Sequence, residues 1–372
     1  MSFLNTYARF PLELHRGEGV RVMDAEGRWY LDGIAGIAVM ALGYGHPTVK
    51  AAIHRQVDRL THTSNLYHVD VQRAFAELLS ATYADAAGPA RVFFSNSGVE
   101  ANEGAVKLAR KWHYRKGAPR AEILTAEHAF HGRTLLGLAM TPKHKYQEGF
   151  GPLVPEVRSV PAAALPAEIS ARTAAVFVEP VQGEGGCLPI TNLAEIRAAC
   201  DAAGALLIYD EIQCGLGRSG ALTHAPAPDV RTLAKALGGG LPLGAVLASA
   251  AVADGFQPGD HGSTFGGNPV SCAAGLATLE TILADDLPAR CGVLGARLRA
   301  GLEATGATVT GEGLILGATV EAPAGEIVSR MRARGVLALT AGTNAVRFLP
   351  PFIMSEGDID ALVQAYADAV QG

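Results

Sequence analysis

Five short apolar runs recur through the middle of the chain: "RVFF" (91–94), "EILTA" (122–126), "AAVFVE" (174–179), "ALLIYD" (205–210) and "GAVLAS" (244–249). Runs of this length without polar alternation read as strands covered on both faces, and the helical patterns between them indicate a mainly parallel α/β sheet. In "EANEGAVKLARKWHYRK", for instance, Ala101, Ala105, Leu108 and Trp112 share one helix face. The two ends read differently. "GVRVMDAEGRWYLDG" is a hairpin pattern, and "TVTGEGLILGATVE" and "NAVRFLPP" are strands among helices. Together they suggest a smaller α+β domain built from both chain ends. The expected division is residues 1–40 and 271–372 in the small domain and 41–270 in the large one. No repeat, low-complexity segment or long polar linker separates independent modules.

Composition narrows the function classes. With 372 residues, 49% of them hydrophobic and 18% charged, the chain can bury a large core. Its net charge of −5 is scattered, with no basic run to track a phosphate backbone, so nucleic acid is not an expected partner. Cys187, Cys200, Cys214, Cys272 and Cys291 are odd in number and contain no CxxC pair, which disfavours a disulfide framework and a structural zinc site. The first residues, "MSFLNTYARFPLELHRGEG", lack a signal-peptide core, and no apolar stretch reaches the roughly 18 residues of a membrane span. A reducing cytoplasm is the expected location, with no membrane partner.

Several strand ends carry chemistry. In "FFSNSGVEANEG", Ser97 with Glu100 three residues on matches a capping box, so a helix begins there with the N–H groups of Gly98 and Val99 exposed. Such a helix start at a strand end is a phosphate site in form, and on this stretch alone it is equally just a capped helix. "HAFHGRT" follows the next strand. Phe130 could lie on a flat ring and Arg133 could grip a carboxylate, although core packing and a solvated guanidinium explain the two residues as well. His128 and His131 have no third ligand at a recognisable metal spacing.

"ALLIYDEIQCGLGRSG" ends an apolar strand in Asp210 and Glu211, two acids at the lip of the sheet where ligands bind in open α/β folds. Gly215, Gly217 and Gly220 satisfy GxGxxG, but "DEIQC" separates them from the strand and Pro226 and Pro228 break any following helix, so a dinucleotide fingerprint is rejected. No GK[ST] marks a P-loop. Lys235, in "TLAKALGGG", lies 25 residues after Asp210, about one crossover, so the pair could meet at the same sheet edge. Apolar neighbours favour a neutral, nucleophilic lysine, which points to imine chemistry; by itself, a lysine among alanines and leucines is also what an exposed amphipathic helix carries.

In combination these stretches resemble the class III pyridoxal-phosphate aminotransferases over nearly the whole chain, and within that class the acetylornithine group. "GIAVMALGYGHP", "SNSGVEANE", "HAFHGRT", "VEPVQGEGG", "DEIQCGLGRSG", "TLAKALGGG" and "HGSTFGGNP" carry the resemblance. It implies a fold-type I, aspartate aminotransferase-like architecture with a mainly parallel seven-stranded sheet, and pyridoxal 5′-phosphate as cofactor. Lys235 would hold the cofactor covalently and shuttle a proton, with Asp210 on its pyridine nitrogen. Gln213 would bond the 3-oxygen, Phe130 would stack on the ring, and the Gly98 and Val99 backbone would bind the phosphate. Val99 stands where the family has a threonine, so one hydroxyl contact is missing. Thr264 would reach the phosphate of the neighbouring subunit with Ser263 near the substrate, which implies a homodimer with shared sites.

The resemblance also implies transfer of the terminal amine of N-acetylornithine to 2-oxoglutarate, giving glutamate, with Arg133 on a distal carboxylate. Glutamate's carboxylate beside the reacting carbon needs a second cation, for which Arg347 is the candidate. Glu184, on a glycine-flanked loop, would cover Arg347 in one half-reaction and swing away in the other; alternatively, Arg347 is a static interface ion pair. Ornithine, 4-aminobutyrate and N-succinyl-diaminopimelate are rival donors. An aminomutase of the glutamate-semialdehyde type is a rival reaction, and a non-catalytic protein on the same fold a third reading. "ALTHAPAPDV" looks shorter than the family's connection and is expected to be a trimmed surface loop.

Overall fold

The computed structural model describes residues 3–84, 86, 88–342 and 344–372. A seven-stranded sheet has the order Arg91–Ser95, Gly244–Ala248, Val230–Leu233, Leu206–Asp210, Thr173–Val178, Glu122–Ala126, Val157–Val160. Only Gly244–Ala248 runs against its neighbours; the pairings among the others are parallel. All five apolar runs are strands of this sheet. The two further strands are less apolar in sequence. Val157–Val160, "VRSV", is a half-exposed edge, and Val230–Leu233, "VRTL", contains a buried arginine.

Successive side chains leave the sheet on opposite faces, and both faces are covered. Ile123, Phe177, Ile208 and Val246 pack with Ala101, Ala105, Leu108 and Ala109 of helix Gly98–Arg115. Leu124, Val176, Leu207 and Tyr209 pack on the other face with Ile196 and Cys200 of helix Leu193–Ala203. Trp112, on the edge of the first helix's apolar face, is only partly buried.

The chain ends meet in a second sheet, where the hairpin Arg21–Asp24/Trp29–Asp32 pairs in parallel with Val336–Leu337. A third, antiparallel sheet joins Thr308–Glu312, Ile315–Thr319, Ala345–Phe348 and Leu339–Ala341, and so places Arg347. Helix Pro269–Ala284 spans the expected boundary at 270 and packs on helices Pro47–Arg59 and Asp70–Thr82. Among the described residues no helix is long and apolar enough to cross a membrane, and all five cysteines are buried free thiols.

That packing is tight at Gly275, where an added Cβ would lie 2.7 Å from a Phe75 ring carbon and 2.8 Å from the Leu237 carbonyl. At Gly325, in helix Ala324–Ala333, it would meet open space. Gly275→Ala is therefore expected to lower stability by about 1–3 kcal/mol despite its helix propensity, whereas Gly325→Ala gains about 0.5–1 kcal/mol. Thermal unfolding of the two variants beside the parent checks the opposite signs.

Candidate active site

The parallel register places Asp210 opposite Thr232, so the Asp210 strand and the strand leading to Lys235 end side by side. The chain leaves the second strand through a sharp turn in which Lys235 has φ +47°, a left-handed conformation that non-glycine residues adopt at a cost of about 1–3 kcal/mol. Both residues line one cavity of about 500 Å³. Burial of the ammonium, then repulsion from Arg347, lowers the Lys235 pKa to about 8. At pH 7 that leaves about a tenth of the lysine neutral, against roughly one part in three thousand for an ordinary lysine.

Asp210 is 3% exposed, and donors surround it. His131 Nδ1 lies 2.7 Å and Asn102 Nδ2 2.9 Å from Oδ2, while the Ile212 N–H donates to Oδ1 at 3.1 Å. A buried carboxylate needs such partners to offset its lost hydration. His131 therefore serves Asp210, and among the described residues no group of three His, Cys, Asp or Glu could hold a metal. Glu211 turns away from the cavity to Arg231 and His224.

Glu179, the glutamate of "VEPVQGEGG", is a site residue that sequence reasoning missed. It is 4% exposed, lines the cavity, and accepts the Phe130 N–H at 2.9 Å. Burial raises its pKa to about 7, with the Asp210 charge adding to the rise and His131 opposing it. Its position at the end of strand Thr173–Val178 gives it the same sheet-edge placement that singled out Asp210.

One end of the cavity is the start of helix Gly98–Arg115. Ser97 accepts the Glu100 N–H at 3.3 Å, but Glu100 reaches back to the N–H of Asn96, not of Ser97, so the capping box is only half made. The first-turn N–H groups of Gly98 and Val99 have no partner within the helix and sit on the cavity wall. Phe130 and Ile212 supply apolar walls, and Val39 contributes from the other side. Val39 follows a left-handed turn at Ala35, Gly36, Ile37 and Ala38, whose first N–H groups are held by the Asp32 carboxylate. Arg133 is exposed at the cavity rim with its guanidinium 3.6 Å from the Tyr146 ring centroid, an aromatic support that sequence reading did not find.

Behind the cavity Arg347 Nη1 donates to Glu184 Oε1 at 2.7 Å, Gln213 Oε1 at 3.1 Å and the Gly183 carbonyl at 3.2 Å. Arg347 is 2% exposed, and its charge holds the Glu184 carboxyl below the usual range against the opposing effect of burial. With its oxygen accepting from Arg347, Gln213 keeps its NH2 for the cavity. A Cβ on Gly183 would fall 1.9 Å from Gln213 Oε1, so a larger residue there would push the amide off Arg347. Ser263 and Thr264 do not line this cavity, although Ser263 Oγ accepts from Asn96 Nδ2, on its wall, at 3.2 Å. They line a separate one with Asn65, Gln72 and Phe93.

A lysine of lowered pKa, an anchored carboxylate and a free helix start on one sheet edge agree with the family comparison, in which the class-III aminotransferase model matches residues 3–370. The chain belongs to the class-III aminotransferases. An acetylornithine aminotransferase of Gloeobacter violaceus is 45% identical over 376 positions, 96% of this chain and 92% of its own. An acetylornithine aminotransferase structure from Elizabethkingia anophelis superposes with a TM-score of 0.88 at 32% identity, over 99% of this chain and 96% of that one. The ornithine aminotransferase of Toxoplasma gondii, in a structure with partial occupancy of pyridoxal phosphate, gives 0.91 at 32% identity over 99% and 92%.

This aminotransferase is thus a fold-type I, pyridoxal-phosphate-dependent transaminase. The residues present fit that cofactor. The cradle has no room for larger side chains: a Cβ on Gly98 would lie 2.7 Å from Ile212 Cδ1, and one on Gly132 2.2 Å from Val99 Cγ2. Free helix N–H groups suit a phosphate, two apolar walls suit a flat ring, and the cavity volume falls in the range of cofactor sites, about 300–1,000 Å³.

The raised pKa of Glu179 makes its protonated form the one the fold prefers. Stability is therefore expected to fall as pH rises from the ordinary glutamate range through about 7. Glu179→Gln mimics the protonated form and removes this loss. Urea unfolding of cofactor-free protein should show the variant gaining on wild type between pH 5 and 8, by at most about 3 kcal/mol.

Proposed function

We propose that the enzyme moves the terminal amino group of N2-acetyl-L-ornithine to 2-oxoglutarate, giving N-acetyl-L-glutamate 5-semialdehyde and L-glutamate. The observation that carries this reading is the Arg347–Glu184 pair at 2.7 Å. An ω-amino donor presents methylenes, not a carboxylate, beside its reacting carbon, and a site for it must keep a nearby cation covered. Arg347 is covered, while Arg133 at the rim remains for a distal carboxylate. The names of the relatives from Gloeobacter and Elizabethkingia support the acetylated donor.

Bound pyridoxal phosphate supplies a carbonyl for the amine and a ring that takes up the electron pair released at the substrate carbon. Lys235 presents a partly neutral amine that would hold the cofactor and, as a free amine, would take and return the substrate proton. Asp210, fixed by His131, Asn102 and the Ile212 N–H, would hold the ring nitrogen. Gln213 would donate its NH2 to the ring oxygen, Phe130 would cover one ring face, and the Gly98 and Val99 N–H groups would bind the phosphate. Glu184 releases Arg347 when glutamate or 2-oxoglutarate brings a second carboxylate.

Ser263 and Thr264 serve the neighbouring subunit's site in a homodimer. Both line a cavity other than the one lined by Lys235 and Asp210, which supports this, as do the exposed apolar neighbours Leu66, at 90%, and Phe265, at 59%. The buried thiols suit a cytoplasmic enzyme.

Glutamate formation from 2-oxoglutarate across acetylornithine, ornithine, 4-aminobutyrate and N-succinyl-diaminopimelate tests the donor, with the highest kcat/KM expected for acetylornithine. A donor that works without 2-oxoglutarate would instead favour the aminomutase reading. Borohydride reduction and peptide mapping should place the cofactor on Lys235, since Lys111 is engaged with Asp260 and Lys107 sits beside His261. Lys235→Ala should retain bound cofactor while multiple turnover falls by a factor of about 10³ or more. Glu184→Ala should shift single-turnover preference from ω-amino to α-amino donors, whereas equal losses for both would contradict the switch.

A further inference from the structure

Glu211 follows Asp210 directly, yet its side chain leaves the sheet on the opposite side, where Tyr209 and Arg231 also lie. It is 1% exposed. Oε1 accepts from Arg231 Nη1 at 2.8 Å and from His224 Nδ1 at 2.7 Å. Three segments are joined by this one oxygen: the end of the Asp210 strand, the strand leading to Lys235, and the 221–229 connection. The connection, expected to be a trimmed surface loop, lies largely at the surface yet delivers a half-buried partner, His224, to this buried carboxylate. The cluster is set among polar atoms that have no hydrogen-bond partner among the described residues, namely Glu211 Oε2, His224 Nε2 and the hydroxyl of Tyr209. A cavity of about 320 Å³, lined by Tyr83, His224, Arg231 and Ser249, opens beside them.

As a device for stability this arrangement is poor. A buried ion pair recovers little more than its own desolvation, and well-packed apolar residues of the same size commonly do as well or better. What it supplies is direction. A carboxylate taking donors from a guanidinium and an imidazole fixes how far the two strands have slid past one another, which an apolar contact does not. The main chain adds a second tie, as the Glu211 N–H donates to the Thr232 carbonyl at 3.0 Å. On the opposite side of this pair of ties lie Asp210, one residue from Glu211, and Lys235, four residues from Arg231.

We propose that Glu211, Arg231 and His224 are positioning residues that set Asp210 and Lys235 relative to each other from the far side of the sheet. Arg231 anchors the approach to Lys235, Glu211 the exit from Asp210, and His224 clamps the connection between the two strands against both. The proposal rests on Asp210 and Lys235 acting together on the cofactor. Borohydride mapping of the cofactor to a different lysine would fail that reading itself, separately from the test below.

The test uses the pyridoxal-phosphate-loaded enzyme and two readouts beside thermal unfolding: the pH midpoint of the cofactor–lysine absorbance, and the separate values of kcat and KM. Asp210 and Lys235 would hold the same cofactor, so a change in their relative placement changes the charge felt at the cofactor–lysine bond and moves that midpoint. In Glu211→Gln the midpoint is expected to shift by about half a pH unit or more, with kcat down about tenfold and KM within about twofold, since small misplacements act on the chemical step. The double replacement Glu211→Met/Arg231→Met keeps volume and removes both charges, so it should unfold near the wild-type temperature and yet show the same shift. His224→Ala, which leaves the Arg231 bond in place, should shift the midpoint in the same direction by less. It carries the test if the other two do not fold. A wild-type midpoint and kcat in the folded double variant, or in His224→Ala where only that folds, would overturn the proposal.

Discussion

The active site depends first on the anchoring of one carboxylate. Asp210 ends the central strand of a sheet buried on both faces, where an unpaired charge would be prohibitively costly, and three donors from separate segments offset that cost. Asn102 comes from the helix whose first turn walls one end of the cavity, His131 from the segment that carries Phe130 and Arg133, and Ile212 from the chain just beyond the strand. Satisfying one buried acid therefore fixes the helix start, the Phe130 wall and the rim cation with respect to each other.

Burial also sets the proton affinities. It lowers the Lys235 pKa to about 8 and raises that of Glu179 to about 7, so a base and an acid of the same cavity both approach neutrality from opposite sides. The Arg347 charge pushes Lys235 further toward the neutral amine, and Glu184, paired with Arg347, pulls it back. Movement of Glu184 would thus alter both the cover over Arg347 and the readiness of the lysine. The Arg347–Glu184 pair and the Lys235 amine share one electrostatic network.

Much of the frame was legible in the sequence because the large sheet announces itself as apolar runs, and runs buried on both faces have no polar alternation to confuse the reading. Asp210 and Lys235 stood out as charges set in apolar surroundings, and the helix start at Ser97 as a cap. What escaped notice had no such local contrast. "VRTL" is a strand whose arginine is buried only because Glu211, 20 residues earlier, partners it. Glu179 precedes a proline and looks like a loop acid until the strand before it is placed at the sheet edge. Tyr146 meets Arg133 through a fold-back of the intervening segment, and the half-made capping box turns on which N–H Glu100 reaches. Each depends on contacts between distant segments or on a turn's geometry, which residue type alone does not carry.

The central claim is that Asp210 acts through its charge, held in place by a shell of donors that does not require it. Asp210→Asn keeps the side-chain shape and removes that charge. The decisive measurement is the single-turnover rate of amine transfer in wild type and Asp210→Asn, each saturated with cofactor. The account predicts a loss of several powers of ten, at about 1.4 kcal/mol of transition-state stabilisation each, while cofactor stays bound. A rate within a few-fold of wild type would contradict it.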